Sequence, residues 1–157
     1  MNALEAIKKT LLFRNLPDQH LTKLAAMAQE VNLGPGTDLF REGQELTEFF
    51  VIVIGSVRVL KNNRSGDTEE LTVLGTGSYL GEVEFSRTDR HAAATIQTIE
   101  TTTVLSLSFV EMEKLCAEDK DLAVHVYRAL ARALALRLAE TNEAAANYRM
   151  VAVKRRN

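Results

Sequence analysis

The sequence predicts a mainly β protein with flanking helices: a jelly-roll-like β-roll between an N-terminal helical pair and a long C-terminal helix. Two observations carry this. All eight glycines fall between Gly34 and Gly81, and glycine alone takes positive φ without steric cost, so this segment is where the chain reverses tightly. Between those glycines lie short runs of β-branched and aromatic residues, at 49–54, 57–60 and 71–74, the composition of strands joined by turns. The flanks, 1–31 and 109–150, are helical in composition, with no interior glycine and with Pro17 only at a helix start.

The elements follow in order. Ala3 to Thr10 forms a short helix. Leu16-Pro17-Asp18-Gln19 opens a second, because proline is tolerated in a first turn. Leu21, Leu24, Ala25 and Met27-Ala28 recur at helical spacing until Leu33-Gly34-Pro35-Gly36 stops them. The roll then spans about 31–108. It contains Asp38-Leu39-Phe40, a turn at Gly43, the buried strand 49–54, a turn at Gly55 and the strand 57–60. Asn62 to Asp67 is polar and turn-forming, a hairpin tip. Ala94 to Ile99 alternates, and 102–107 is the last strand.

The long helix starts at an N-cap, Asp119 or Asp121, and runs to about Tyr148 without Gly or Pro. Leu122, Val126, Leu130, Leu134 and Leu138 form a row at i, i+4 spacing, widened by Ala129, Ala133 and Leu136. About 28 residues give a helix of roughly 40 Å, longer than one small roll can cover. Part of its apolar face is therefore expected to pack on a second copy, giving a homodimer. Residues 149–157 are read as a solvated basic tail, ending Lys154-Arg155-Arg156-Asn157.

Composition sets the outer limits. A chain of 157 residues is one domain with its own core. With 46% hydrophobic and 25% charged residues it reads as an ordinary soluble protein, and a net charge of −2 gives no general attraction for nucleic acid. The longest wholly apolar run, Phe49 to Ile54, is too short to span a bilayer, and the N-terminus has no signal-peptide core. Cys116 is the single cysteine, so it makes no internal disulfide; it sits in a helical pattern as a small apolar residue and suits a reducing cytoplasm. No catalytic residue and no metal site are expected. His20, His91 and His125 stand far apart with only generic carboxylates near, and neither a Walker-type phosphate loop nor a nucleophile elbow is present.

The motifs sharpen this reading. Leu12-Phe13-Arg14-Asn15-Leu16-Pro17-Asp18-Gln19-His20-Leu21 resembles the entry helix of the cyclic nucleotide-binding domain family, of the cAMP receptor protein and protein kinase A regulatory type. Leu33 to Gly43 resembles its first roll strand and turn, and Phe50 to Val59 its second glycine turn. Gly75-Thr76-Gly77-Ser78-Tyr79-Leu80-Gly81-Glu82 resembles the approach to its phosphate-binding cassette. The resemblance covers about 10–142 and implies a double-stranded β-helix with a short cassette helix. It also implies a stand-alone domain, because the short tail leaves no room for a winged helix-turn-helix; neither DNA nor a membrane is an expected partner.

In such a cassette a short helix offers its N-terminal amides to a cyclic phosphate. A glutamate near its start accepts from the ribose 2′-OH, an arginine on the outgoing side pairs with the phosphate, and the long helix covers the base. Gly81 and Glu82 stand where the family's glycine and glutamate stand. Val83 follows, then Glu84 where the family has a small residue; an inward carboxylate there opposes an anion by about 1–4 kcal/mol. The arginine position falls at His91 or Ala92. Arg90 lies one or two places early and reaches the phosphate after a small loop adjustment; His91 replaces it in part, since its charge depends on pH near about 6.5. Arg137, beside Leu138, falls at the base. The resemblance thus implies a ligand set of Gly81, Glu82, Val83, Arg90, His91, Ala92, Ala93 and Arg137, with cAMP or cGMP as ligand and no other cofactor.

Two functions remain open on this evidence. One is a regulatory module that senses a cyclic nucleotide and relays it through the C-terminal helix to a protein partner. The other is the same fold with altered or lost ligand binding, acting as a dimeric interaction module. Glu82 favours the first; Glu84 and the missing arginine favour the second.

Overall fold

The computed structural model describes residues 2–155. Two short helices, α1 (Ala3–Lys9) and α2 (Asp18–Met27), lead into eight strands. These are β1 (Gln29–Leu33), β2 (Asp38–Phe40), β3 (Glu48–Ile54), β4 (Ser56–Asn62), β5 (Thr68–Gly75), β6 (Tyr79–Leu80), β7 (Thr95–Thr98) and β8 (Thr102–Ser108). A one-turn helix, α3 (Glu82–Phe85), interrupts them after β6, and α4 (Phe109–Glu118) and α5 (Lys120–Lys154) close the chain. The strands form two four-stranded sheets, ordered β1-β8-β3-β6 and β2-β7-β4-β5, with every pairing antiparallel. This is the mainly β roll with flanking helices that the glycine pattern predicts.

β3 explains the apolar run. It lies between β8 and β6, and five of its seven residues, Phe49 to Val53, are buried. One of its faces looks into the roll and the other is covered by helix, so alternation disappears. Phe13, after α1, packs on Phe49 with ring centroids 5.6 Å apart. Gly55 makes the next reversal. Its φ is +103°, and a Cβ there would lie 2.5 Å from Thr102 Oγ1 and 2.8 Å from Thr102 Cα. Glycine is required at this position both for conformation and for space.

Three expectations need correction. The chain from Gln29 to Val31 is strand, so the roll starts at Gln29. All five residues of β1 pair with β8, whose other side is held by β3; a long-range ladder outweighs local helical composition. The long helix continues past Tyr148 to Lys154, so the expected tail is helical over 149–154, while Arg156 and Asn157 lie outside the described residues. The leucine row also divides. Leu122, Val126 and Leu130 are buried in the chain's own core, whereas Leu138 is 61% exposed. Only the second half of the row is free to meet a second copy.

Asp119 separates α4 from α5. Its backbone is extended (φ −127°, ψ 96°) and its carboxylate accepts from Leu122 N–H at 3.0 Å, which makes it the N-cap of α5. Cys116 is buried in the core, and burial pushes its thiol up, away from the reactive thiolate. The foot of α5 rests on α2. His20 and His125, separate in the sequence, come together there with ring centroids 5.2 Å apart. Among the described residues no helix is long and apolar enough to cross a membrane.

Candidate functional site

The site is built where β6 meets α3. β6 pairs with β3, Leu80 opposite Phe50 and Tyr79 opposite Val51, so the chain enters the turn against the core strand. Gly81 makes that turn with φ +94°. A Cβ there would stand 3.0 Å from Glu48 O and 3.3 Å from Phe49 Cα. Glycine lets the backbone pass close to β3 and then start a helix, whose first bond runs from Phe85 N–H to Gly81 O at 2.9 Å. Phe85 anchors α3 from the far end, packing on Phe109 of α4 (5.2 Å) and Tyr127 of α5 (6.2 Å).

Two carboxylates leave this short helix and both are buried. Glu82 is 2% exposed, and Arg137 Nη1 of α5 lies 2.5 Å from its Oε1. That contact is an ion pair tying the short helix to α5. Burial pushes the Glu82 carboxyl above the usual carboxylate range, with Arg137 opposing part of the shift. Glu84 is 7% exposed, and its Oε1 accepts from Ala93 N–H at 3.2 Å. A carboxylate of the helix thus occupies an amide of the outgoing segment.

The outgoing segment offers no cation to this site. Arg90 turns to α4, where it pairs with Glu113 and lies over the rings of Phe85 (5.9 Å) and Phe109 (5.1 Å). His91 is exposed and bonds the Asp89 carboxylate, which Arg87 also approaches at 3.6 Å. Ala92 is buried and tied to the Gly43 turn, its N–H donating to Gln44 O and its carbonyl accepting from Gly43 N–H. Ala93 O accepts from Lys61 Nζ at 2.7 Å, and Val83 is half-buried beside Glu82. The fold therefore gathers Gly81, Glu82, Val83, Ala93 and Arg137, and engages Arg90 and His91 elsewhere. The Glu84–Ala93 bond and the Glu113 partner of Arg90 are the contacts that sequence reasoning missed. Glu84 was visible as a stray carboxylate, but nothing in the sequence couples Arg90 to a residue 23 positions away.

A buried glutamate after a left-handed glycine, on a one-turn helix under a long C-terminal helix, is the arrangement the motifs implied. The sequence profile of the cyclic nucleotide-binding domain matches residues 30–119. The chain belongs to the cyclic nucleotide-binding domain family. Among relatives, a cGMP-dependent protein kinase of Toxoplasma gondii is 37% identical over 76 residues, 48% of this chain and 7% of that protein. A cAMP-dependent protein kinase regulatory subunit of Dictyostelium discoideum is 29% identical over 115 residues, 71% of this chain and 35% of that protein. This cyclic nucleotide-binding domain thus spans about a third or less of the curated relatives it matches. The N-terminal domain of a transcriptional regulator from Streptomyces coelicolor A3(2) superposes with a TM-score of 0.74 at 27% identity, covering 88% of this chain and 94% of that one.

The geometry limits what this member can hold. The buried Glu82 carboxylate is an acceptor for N–H or O–H donors. Glu82 pairs with the Arg137 guanidinium, whereas Glu84 bonds the Ala93 amide. A phosphate arriving at the Ala93 amide meets Glu84 already bonded to it.

Proposed function

We propose that this domain is a non-enzymatic cytoplasmic regulatory module that takes a ribose-bearing ligand in the roll and relays its arrival through α5. The observation that supports this is the Glu82–Arg137 ion pair, which joins the residue in the ribose-binding position directly to the long helix. A ligand hydroxyl that bonds Glu82 competes with Arg137, and loosening that pair frees the second half of α5. The names of the relatives point to cAMP or cGMP as the ligand. The helix would pass the change to a partner chain, the first candidate being a second copy of this one, since Leu136, Leu138 and Tyr127 are all exposed along it. Neither DNA nor a membrane enters this reading.

A second reading is favoured by the Glu84–Ala93 bond, which fills the anion seat from within. In that reading the fold is kept as a dimeric docking module and the nucleotide is dispensable. Calorimetric titration of wild type and Glu84→Ala with cAMP and cGMP separates the two. The sensing reading expects measurable binding that tightens in Glu84→Ala, because a like charge is removed from the seat. Absence of binding in both proteins at millimolar nucleotide sinks the sensing reading and leaves the docking module.

A further inference from the structure

At the foot of α5, away from the roll, the fold assembles three side chains of a kind that bind metal cations. His20 of α2 and Asp121 and His125 of α5 each offer a ligand atom, and these atoms lie within 4.8 Å of one another. His20 is 2% exposed, so packing holds its ring in place. Its Nε2 lies 2.6 Å from Asp121 Oδ2. Its Nδ1 is buried without a hydrogen-bond partner, and the Asp119 carboxylate is 3.9 Å away. Native interiors seldom leave a buried ring nitrogen unpaired. The Nδ1 of His125 is 2.8 Å from the Asp121 carbonyl oxygen. A carbonyl only accepts, so this nitrogen carries the proton and Nε2 keeps its lone pair; Nδ1 also lies 3.7 Å from Asp121 Oδ2, so Nε2 meets a cation once the ring turns.

We propose that His20, Asp121 and His125 form a binding site for a divalent transition-metal cation of the zinc class, which staples α2 to the root of α5. Two imidazoles and one carboxylate are a ligand set that suits zinc, with a fourth position left to water. Metal-bound histidines usually carry an acceptor behind the ring: the Asp121 carbonyl bonds His125 at 2.8 Å, and the Asp119 carboxylate stands 3.9 Å behind His20, near enough to close on a protonated Nδ1. Coordination through His20 Nε2 replaces the proton there. Nδ1 takes up a proton in turn, and the unpaired acceptor becomes a donor facing Asp119. The Asp119 carboxylate, which Lys23 meets at 2.5 Å, stands beside the site. Bonds of about 2.0–2.2 Å require the three ligand atoms to adjust by up to ~1 Å, and Asp121 is exposed and His125 only part-covered, so both can turn. The site is independent of any ligand in the roll.

The test uses the full chain without an affinity tag. Zinc chloride is titrated by calorimetry, and cobalt(II) is followed by its visible absorption. The expected result is one equivalent bound, an absorption of tetrahedral type and a melting temperature that rises with zinc concentration. His125→Ala and Asp121→Asn should abolish the cobalt signal while circular dichroism shows an intact fold. Asp119→Asn keeps the helix cap and should weaken binding about 10–100-fold. Three results overturn the proposal. They are no zinc-dependent shift and no cobalt absorption at millimolar metal, binding that survives both ligand variants, or a thiolate charge-transfer band assigning the metal to Cys116.

Discussion

Glu82 is under two opposing demands. Burial favours its neutral form, while Arg137 favours its charge. With the folded carboxyl raised, the native state holds a proton that the unfolded chain has released. The stability this supplies is complete below the ordinary carboxylate range and is lost as pH rises through the raised value. Glu82→Gln should flatten that decline, read as urea midpoints from acid to neutral pH. Asp119, held low by Lys23 and the Leu122 amide, tilts the profile the other way, so the difference between variant and wild type is what matters. An unchanged slope in Glu82→Gln would show that the carboxyl is not raised. Where a ribose ligand binds, Glu82→Ala should cost roughly 1.5–3 kcal/mol of affinity, the scale of a hydrogen bond to a charged group. Arg90→Ala should leave affinity unaltered, because Arg90 is engaged with Glu113 and two rings. A loss there as large as that of Glu82→Ala would place Arg90 at the phosphate after all. The Gly81 turn and the carboxylate after it were legible in the sequence, the turn from local backbone preference and Glu82 from the family resemblance of Gly75–Glu82. The true partner of Arg90 was not, because it sits on a helix brought near only by the fold.

The cassette helix α3 is too short to be stable by itself, so its placement depends on its two ends. Phe85 holds one end between α4 and α5, and Gly81 sets the other. Gly81→Ala should cost about 1–2 kcal/mol for the left-handed backbone alone, and more because the new Cβ presses on Glu48 O. Thermal or urea denaturation measures this; a neutral Gly81→Ala would mean that the turn is not constrained. On α5 the leucine row divides into two kinds of position. Leu130 is in the core and Leu138 is exposed. Leu130→Glu should unfold the domain or cost about 4 kcal/mol or more, as a charge forced into a core does. Leu138→Glu should leave the fold intact and act only on association. The helix was legible from its periodicity, but its division between core and free face was not. Both halves repeat the same i, i+4 spacing, and only the roll's limited extent decides where cover ends.

For the whole molecule, the second half of α5 extends apolar residues that the roll does not cover. If a second copy covers them, sedimentation should give about twice 17.4 kDa, and Leu136→Glu with Leu138→Glu should halve it without loss of helix. A wild-type monomer at every concentration would remove the dimer and the relay that depends on it. By itself the sequence determined the roll, its glycine turns and the helices on either side. Those features follow from local backbone preference and from the spacing of apolar side chains, which a linear chain displays. The tertiary structure alone decided that the first strand begins at Gln29, that Glu84 bonds Ala93, that Arg90 turns to Glu113 and that His20 meets Asp121, 101 positions away. Each of these is a pairing across the fold, set by which surfaces the packed core brings face to face, and no local preference encodes it.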